Sequence, residues 1–171
     1  MAELSYILKQ NYSTSFDTLK NTSYDDANDA HLCQSDMQVI DFDHLTKELN
    51  PLKQPSSYDS LLVDENKKKV YCVEFKNQST SKINNQKLYK KVENSTDTLQ
   101  ALCKEHNVVQ NDYEFILCVV YRSDPFKHRY HRFKENIVHF GLDVYRDDFK
   151  SIVTNDIGFF KREFNKEYGC K

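Results

Sequence analysis

Two carboxylates and an amine, Asp59, Glu74 and Lys76, fall in two stretches, YDSLLVD and VYCVEFK, whose apolar runs are separated by the polar ENKKK. Alternation along a strand puts Glu74 and Lys76 on one face, with Val73 and Phe75 on the other, toward a core. Two β-rich runs around a short polar centre have the sequence form of a hairpin. A two-residue loop at Asn66 and Lys67 sets Asp59 opposite Glu74, with Cβ atoms roughly 4.5 to 5.5 Å apart, close enough to bind one cation between them. A one-residue slip would turn Asp59 to the wrong face, whereas a bulge or a longer loop could restore the match. Hard oxygen ligands suit Mg²⁺, or Mn²⁺ in its place. Water on such an ion loses its proton more easily, and the ion offsets charge on phosphoryl oxygens. Lys76 would orient the attacking water or steady the forming charge, and so close an ion should lower the lysine's own pKa. Phosphodiester hydrolysis is the chemistry this set suits.

The elements that position these groups are legible in outline. SDMQVIDFDHLTKELNP reads as a short apolar segment leading into a helix over about residues 41 to 49, stopped before Pro51. After the hairpin, Leu88, Val92, Leu99, Leu102 and Cys103 recur as one face of a helix over about 82 to 105, with lysines on its other face. YEFILCVVY, 113 to 121, is a near-continuous apolar run and predicts a strand buried on both faces. SDPFKHRYHRFKEN is a basic connection, IVHFGLDVYR predicts another strand, and a closing helix is expected from about residue 155. The first thirty or so residues are polar and weakly periodic, with a short helix near residues 3 to 10 as their one regular feature. One α/β (α+β) domain over 1–171 follows, with a polar extension at 1–36 and a core at 37–171.

Composition narrows the function classes. Leu, Ile, Val and Phe make up about a quarter of the 171 residues, enough to fold. Three Gly and the absence of a GxxxxGK[ST] pattern argue against nucleotide-fuelled chemistry. The five cysteines are odd in number and contain no CxxC pair, so they read as buried apolar residues in a reducing compartment. No signal-peptide pattern or long apolar run occurs, and a cytoplasmic protein with no membrane partner is expected. The net charge of −2 conceals eight lysines against one acid over residues 66 to 91, a distribution open to a polyanionic partner or to an ordinary solvated face.

Asp59, then Glu74-Phe75-Lys76 at the end of a second strand, resembles the PD-(D/E)xK superfamily, also called restriction-endonuclease-like, over roughly residues 41 to 145. The resemblance implies an αβββαβ core with a mixed central sheet flanked by helices. It implies metal ligation by Asp59, Glu74 and the backbone carbonyl of Phe75, with Lys76 as the catalytic lysine. Glu48 is the nearest match to an acid that members carry on the preceding helix, and Gln78 to a polar residue lining the site. Tyr58 stands where members often have proline. Nucleic acid, DNA rather than RNA, is the implied partner, contacted by Lys82, Lys87, Lys90 and Lys91 on or near the following helix and by Lys127, Arg129 and Arg132 in the basic connection. A homodimer and an inhibitory immunity protein are the further partners to consider.

Other residues compete less well. Asp64 and Glu65 belong to the predicted turn and solubilise it. His128 and His131 lack a third ligand at a recognisable spacing, although Phe126, Tyr130 and Phe133 among basic residues would suit a single strand. Asp143, Asp147 and Asp148 cap or solvate, and Cys72 packs at the edge of the site. A Glu-x-Lys tripeptide alone is also what an exposed strand pair looks like. The competing functional class is therefore a noncatalytic module on the same scaffold that binds nucleic acid or regulates a partner.

Overall fold

Asn84 opens the longest helix by accepting from the Lys87 N–H at 3.0 Å, and the chain then runs helically from Asn85–Glu105 (α4) with Leu88, Val92, Leu99, Leu102 and Cys103 buried. It ends where Asn107 takes a left-handed φ of 55°. There the Val108 N–H donates to Cys103 O and the Asn107 N–H to Lys104 O, a Schellman closure that uses up orphan carbonyls. The computed structural model describes residues 3–122 and 137–158. Around α4 lie α1 (Leu4–Asn11), β1 (Phe16–Thr18), α2 (Leu19–Thr22), β2 (Tyr24–Asp25), β3 (Ala30–His31), β4 (Gln38–Asp41), α3 (Phe42–Leu49), β5 (Ser60–Asp64), β6 (Lys69–Lys76), β7 (Glu114–Tyr121) and β8 (Ser151–Asp156).

Six of the strands form one mixed sheet in the order β1-β4-β5-β6-β7-β8. The pairs from β1 to β6 are antiparallel, whereas β6, β7 and β8 run parallel. Helix α4 supplies the long crossover that a parallel pair demands. The centre of the sheet is apolar on both faces. Leu61, Cys72, Leu117 and Val119 pack with α1, α3 and α4, while Tyr71, Val73, Phe75 and Cys118 pack with Leu19 of α2 and with Leu32, Cys33 and Met37. Each fully buried leucine in these layers contributes roughly 1.5 to 3 kcal/mol. Cys33, Cys72, Cys103 and Cys118 are all buried, as small apolar side chains would be. Among the described residues no helix is long and apolar enough to cross a membrane.

The hairpin keeps the expected offset through a different turn. Four residues, 65 to 68, separate Asp64 from its partner Lys69, and Leu61 faces Cys72. The wider loop is centred on Asn66 and Lys67, so the offset is unchanged, and Lys68 closes it at φ 52°. Residues 3–30 are folded, with α1 where a helix is expected. Its first N–H groups lack a side-chain cap from Glu3, and the Tyr113 hydroxyl and Glu65 Oε1 accept from Leu4 N and Ser5 N instead.

Two expectations fail toward the C-terminus. Residues 137 to 146 form no strand, because Phe140 and Gly141 turn through φ 64° and 69°. The His139 N–H is taken by Thr154 Oγ1 and the Phe140 carbonyl by the Tyr89 hydroxyl. A Cβ on Gly141 would overlap that hydroxyl, which the turn avoids by using glycine. The last strand is instead SIVTND, so the helical assignment from residue 155 gives way to β8 as far as Asp156. Residues 157 and 158 turn helical after it; the expected closing helix from residue 159 onward, and the basic connection with His128 and His131, lie outside the described residues.

Candidate functional site

Glu74 is fully buried two residues before the end of β6, beside Val119 of β7. Buried carboxylates persist only with partners. Here the partners are two ammonium groups: Lys76 Nζ lies 2.6 Å from Glu74 Oε1, and Lys91 Nζ lies 2.8 Å from Oε1 and 2.9 Å from Oε2. Neither ammonium meets Oε1 at a hydrogen-bonding angle, which leaves that atom buried without a well-directed donor.

Asp59 comes from the chain entering β5. Its carbonyl accepts from Phe42 N and its N–H donates to Val73 O, although Val73 is already the ladder partner of Ser60. The ladder breaks at this point, and Asp59 Oδ2 takes the Phe75 N–H at 2.6 Å in place of a backbone carbonyl. Its other oxygen, Oδ1, lies 3.4 Å from Lys91 Nζ. Asp59 and Glu74 thus converge from adjacent strands on one positive charge, with Lys76 beside them. Tyr58 explains the missing proline: its backbone N–H donates to buried Ser95 Oγ at 2.8 Å, a bond proline cannot make. Its ring stacks on Phe42. Ser95→Ala should therefore lower unfolding free energy by about 1 to 3 kcal/mol in urea titrations, because the Tyr58 N–H stays buried without a partner.

Burial first, and the charge of Glu74 second, push the Asp59 carboxyl up to about 7, against the pull of Lys91, the Phe75 N–H and Lys76. A carboxyl raised on folding binds more protons in the native than in the unfolded chain. Its stabilising contribution is complete below the ordinary value of 3.8 and is lost as pH rises through about 7. Chelator-treated protein should lose up to about 4 kcal/mol from this group across that window, and Asp59→Asn should flatten the loss when urea midpoints are compared at several pH values. For Lys91, burial works to lower the pKa, but the charges and hydrogen bonds of Glu74 and Asp59 prevail and raise it.

The other expected residues are dispersed. Glu48 accepts from Thr14 and Ser15 hydroxyls at 3.3 and 3.4 Å and braces the N-terminal segment. Gln78 is exposed in the bend after β6, and Lys82, Lys87 and Lys90 are exposed near the start of α4. Lys91 departs most from expectation, since it points at the carboxylates. Its position three residues after Leu88 and four before Ser95 places it on the inward stripe of α4. Lys127, Arg129 and Arg132 lie outside the described residues. Glu65 is structural: burial opposes its charge, yet Lys68, the Ser5 N–H and Tyr113 hold its carboxyl below the usual range. Asp143 pairs with Arg146. A cleft of about 570 Å³ opens between α4 and residues 146 to 150, touching Tyr58 and Cys72 but none of Asp59, Glu74, Lys76 and Lys91.

Among the described residues no group of three or more His, Cys, Asp or Glu side chains gathers as a metal cluster. The donors that do converge, two carboxylates with the Phe75 carbonyl next in sequence, are hard oxygens of the kind Mg²⁺ or Mn²⁺ takes. The buried Oε1 without a directed donor fits the same use. No family model matches the chain, and no curated protein and no solved structure matches it.

Proposed function

We propose that the chain is a Mg²⁺- or Mn²⁺-dependent nuclease acting on DNA, built on a restriction-endonuclease-like core. The observation that carries this reading is the convergence of Asp59 and Glu74 on one shared cation with Lys76 at 2.6 Å from the second acid. The run β4, β5, β6, α4, β7 supports the fold half of the proposal, since three antiparallel neighbours are followed by a helix and a parallel strand; α3 lies between the first two of those strands, and β1, α2, β2 and β3 separate α1 from them.

Asp59, Glu74 and the Phe75 carbonyl would hold the ion, which supplies Lewis acidity and an acidified water when bound. Lys76 keeps a compact positive charge on the same face and steadies a phosphoryl oxygen as it gains charge. Lys87 is exposed one helical turn before Lys91, where it can pair with a backbone phosphate next to the reacting one. One observation favours the noncatalytic alternative: two acids and two amines already balance in charge. Incubation with supercoiled plasmid, linear duplex, single-stranded DNA and RNA, each with and without Mg²⁺ or Mn²⁺, separates the two. Ion-dependent cutting supports the nuclease. Retention of nucleic acid with every lane uncut supports the binding module.

A further inference from the structure

Lys91 does not sit like a lysine waiting for phosphate. Its ammonium touches both oxygens of Glu74 and faces Asp59 Oδ1, at 2.8, 2.9 and 3.4 Å. It is therefore bound by the two strands at once, whereas Lys76 lies 2.6 Å from Glu74 Oε1. We infer that Lys91 is an exchangeable internal cation, neutralising the carboxylate pair when no metal is bound and being driven out when a divalent ion takes its place. The inference rests on the metal-site reading above and extends it to how the site is kept closed.

Two observations and one electrostatic argument support exchange over a permanent ion pair. Glu74 is wholly buried, and its Oε1 has no donor at a hydrogen-bonding angle although two ammonium groups lie within 2.8 Å. Oε2 accepts an N–H bond from Lys91, whereas Oε1 is placed for a spherical charge more than for an N–H bond. The Lys91 side chain retains 24% of its exposure, so a flexible four-carbon stem has a way to solvent that keeps its head charged. Finally, an added divalent ion beside both Lys76 and Lys91 would overload two carboxylates with positive charge, and repulsion between neighbouring cations in a water-poor site favours expelling the tethered one.

The test is Mn²⁺ binding to the full chain, read from loss of the free-ion electron paramagnetic resonance signal, together with melting in chelator and in Mn²⁺. Lys91→Met should bind Mn²⁺ at least about tenfold more tightly than the parent, a change worth roughly 1.4 kcal/mol. It should melt lower than the parent in chelator, recover in Mn²⁺, and lose the added affinity when combined with Glu74→Gln. Lys91→Gln, which keeps polarity but not charge, should behave the same way. Equal or weaker Mn²⁺ binding in both variants overturns the exchange while leaving the metal site standing. Absence of Mn²⁺ binding in parent and variants alike overturns the metal-site reading and the exchange with it. Failure of both variants to fold even in saturating Mn²⁺ also overturns it, because an exchangeable cation can be replaced by the ion it yields to.

Discussion

Asp59→Asn and Glu74→Gln should each reduce ion-dependent DNA cleavage by about 10³-fold, with the fold intact. Each amide preserves the size of its carboxylate, and the side-chain carbonyl of Asp59→Asn can still accept the Phe75 N–H that Asp59 Oδ2 takes at 2.6 Å. What disappears is one negative charge at the point where two strands face a common cation, and removing a single well-aimed electrostatic group of this kind costs on the order of 10² to 10³ in rate. Lys76→Met should lower kcat by a similar factor through another route. It leaves both acids in place, so Mn²⁺ affinity should hold while turnover falls. Far-ultraviolet circular dichroism on all three variants checks the fold. Unchanged cleavage in any of them, or loss of Mn²⁺ binding in Lys76→Met, would contradict the roles of metal ligand and charge-steadying amine.

Glu74→Ala should be the most destabilising single change at the site, lowering unfolding free energy by about 3 kcal/mol. The carboxylate is fully buried and lies within 2.9 Å of two ammonium groups. Truncation strands both positive charges against Val119 and its neighbours and opens a cavity the size of the lost side chain. Lys76 and Lys91 keep 17% and 24% of their side-chain exposure, so partial retreat to water limits the damage. By the same logic, Glu74→Leu combined with Lys91→Met should cost less than the sum of the two single changes, since the pair is removed together. Lys87→Ala, on the exposed face, should stay within about 0.5 kcal/mol of the parent. Urea titrations of this set read the non-additivity directly.

The hairpin was legible because alternation and loop position act together: any loop centred on Asn66 and Lys67 gives the same offset, whether two residues or four. Helix α4 was legible from its apolar spacing, and so in principle was Lys91, whose distances from Leu88 and Ser95 put it on the inward stripe. Its charge argued for solvent, and the buried acids that outweigh that preference come from two distant strands. The failures near the C-terminus have a different cause. IVHFGLDVYR is apolar enough for a strand, but a left-handed pair at Phe140 and Gly141 is set by contacts with Tyr89 and Thr154. SIVTND is short and buries only Thr154, so its pairing with β7 leaves little trace in its own composition.

Residues 1–36 read as a polar extension of weak periodicity, yet Leu19, Leu32 and Cys33 lie over Tyr71, Val73, Phe75 and Cys118. That arrangement makes the extension a lining. A chain trimmed to begin at residue 37 would carry its acids and amines on one side of the sheet while the reverse side lay bare to its neighbours. Such a trimmed protein should clump, visibly by light scattering, before its chemistry could be assayed.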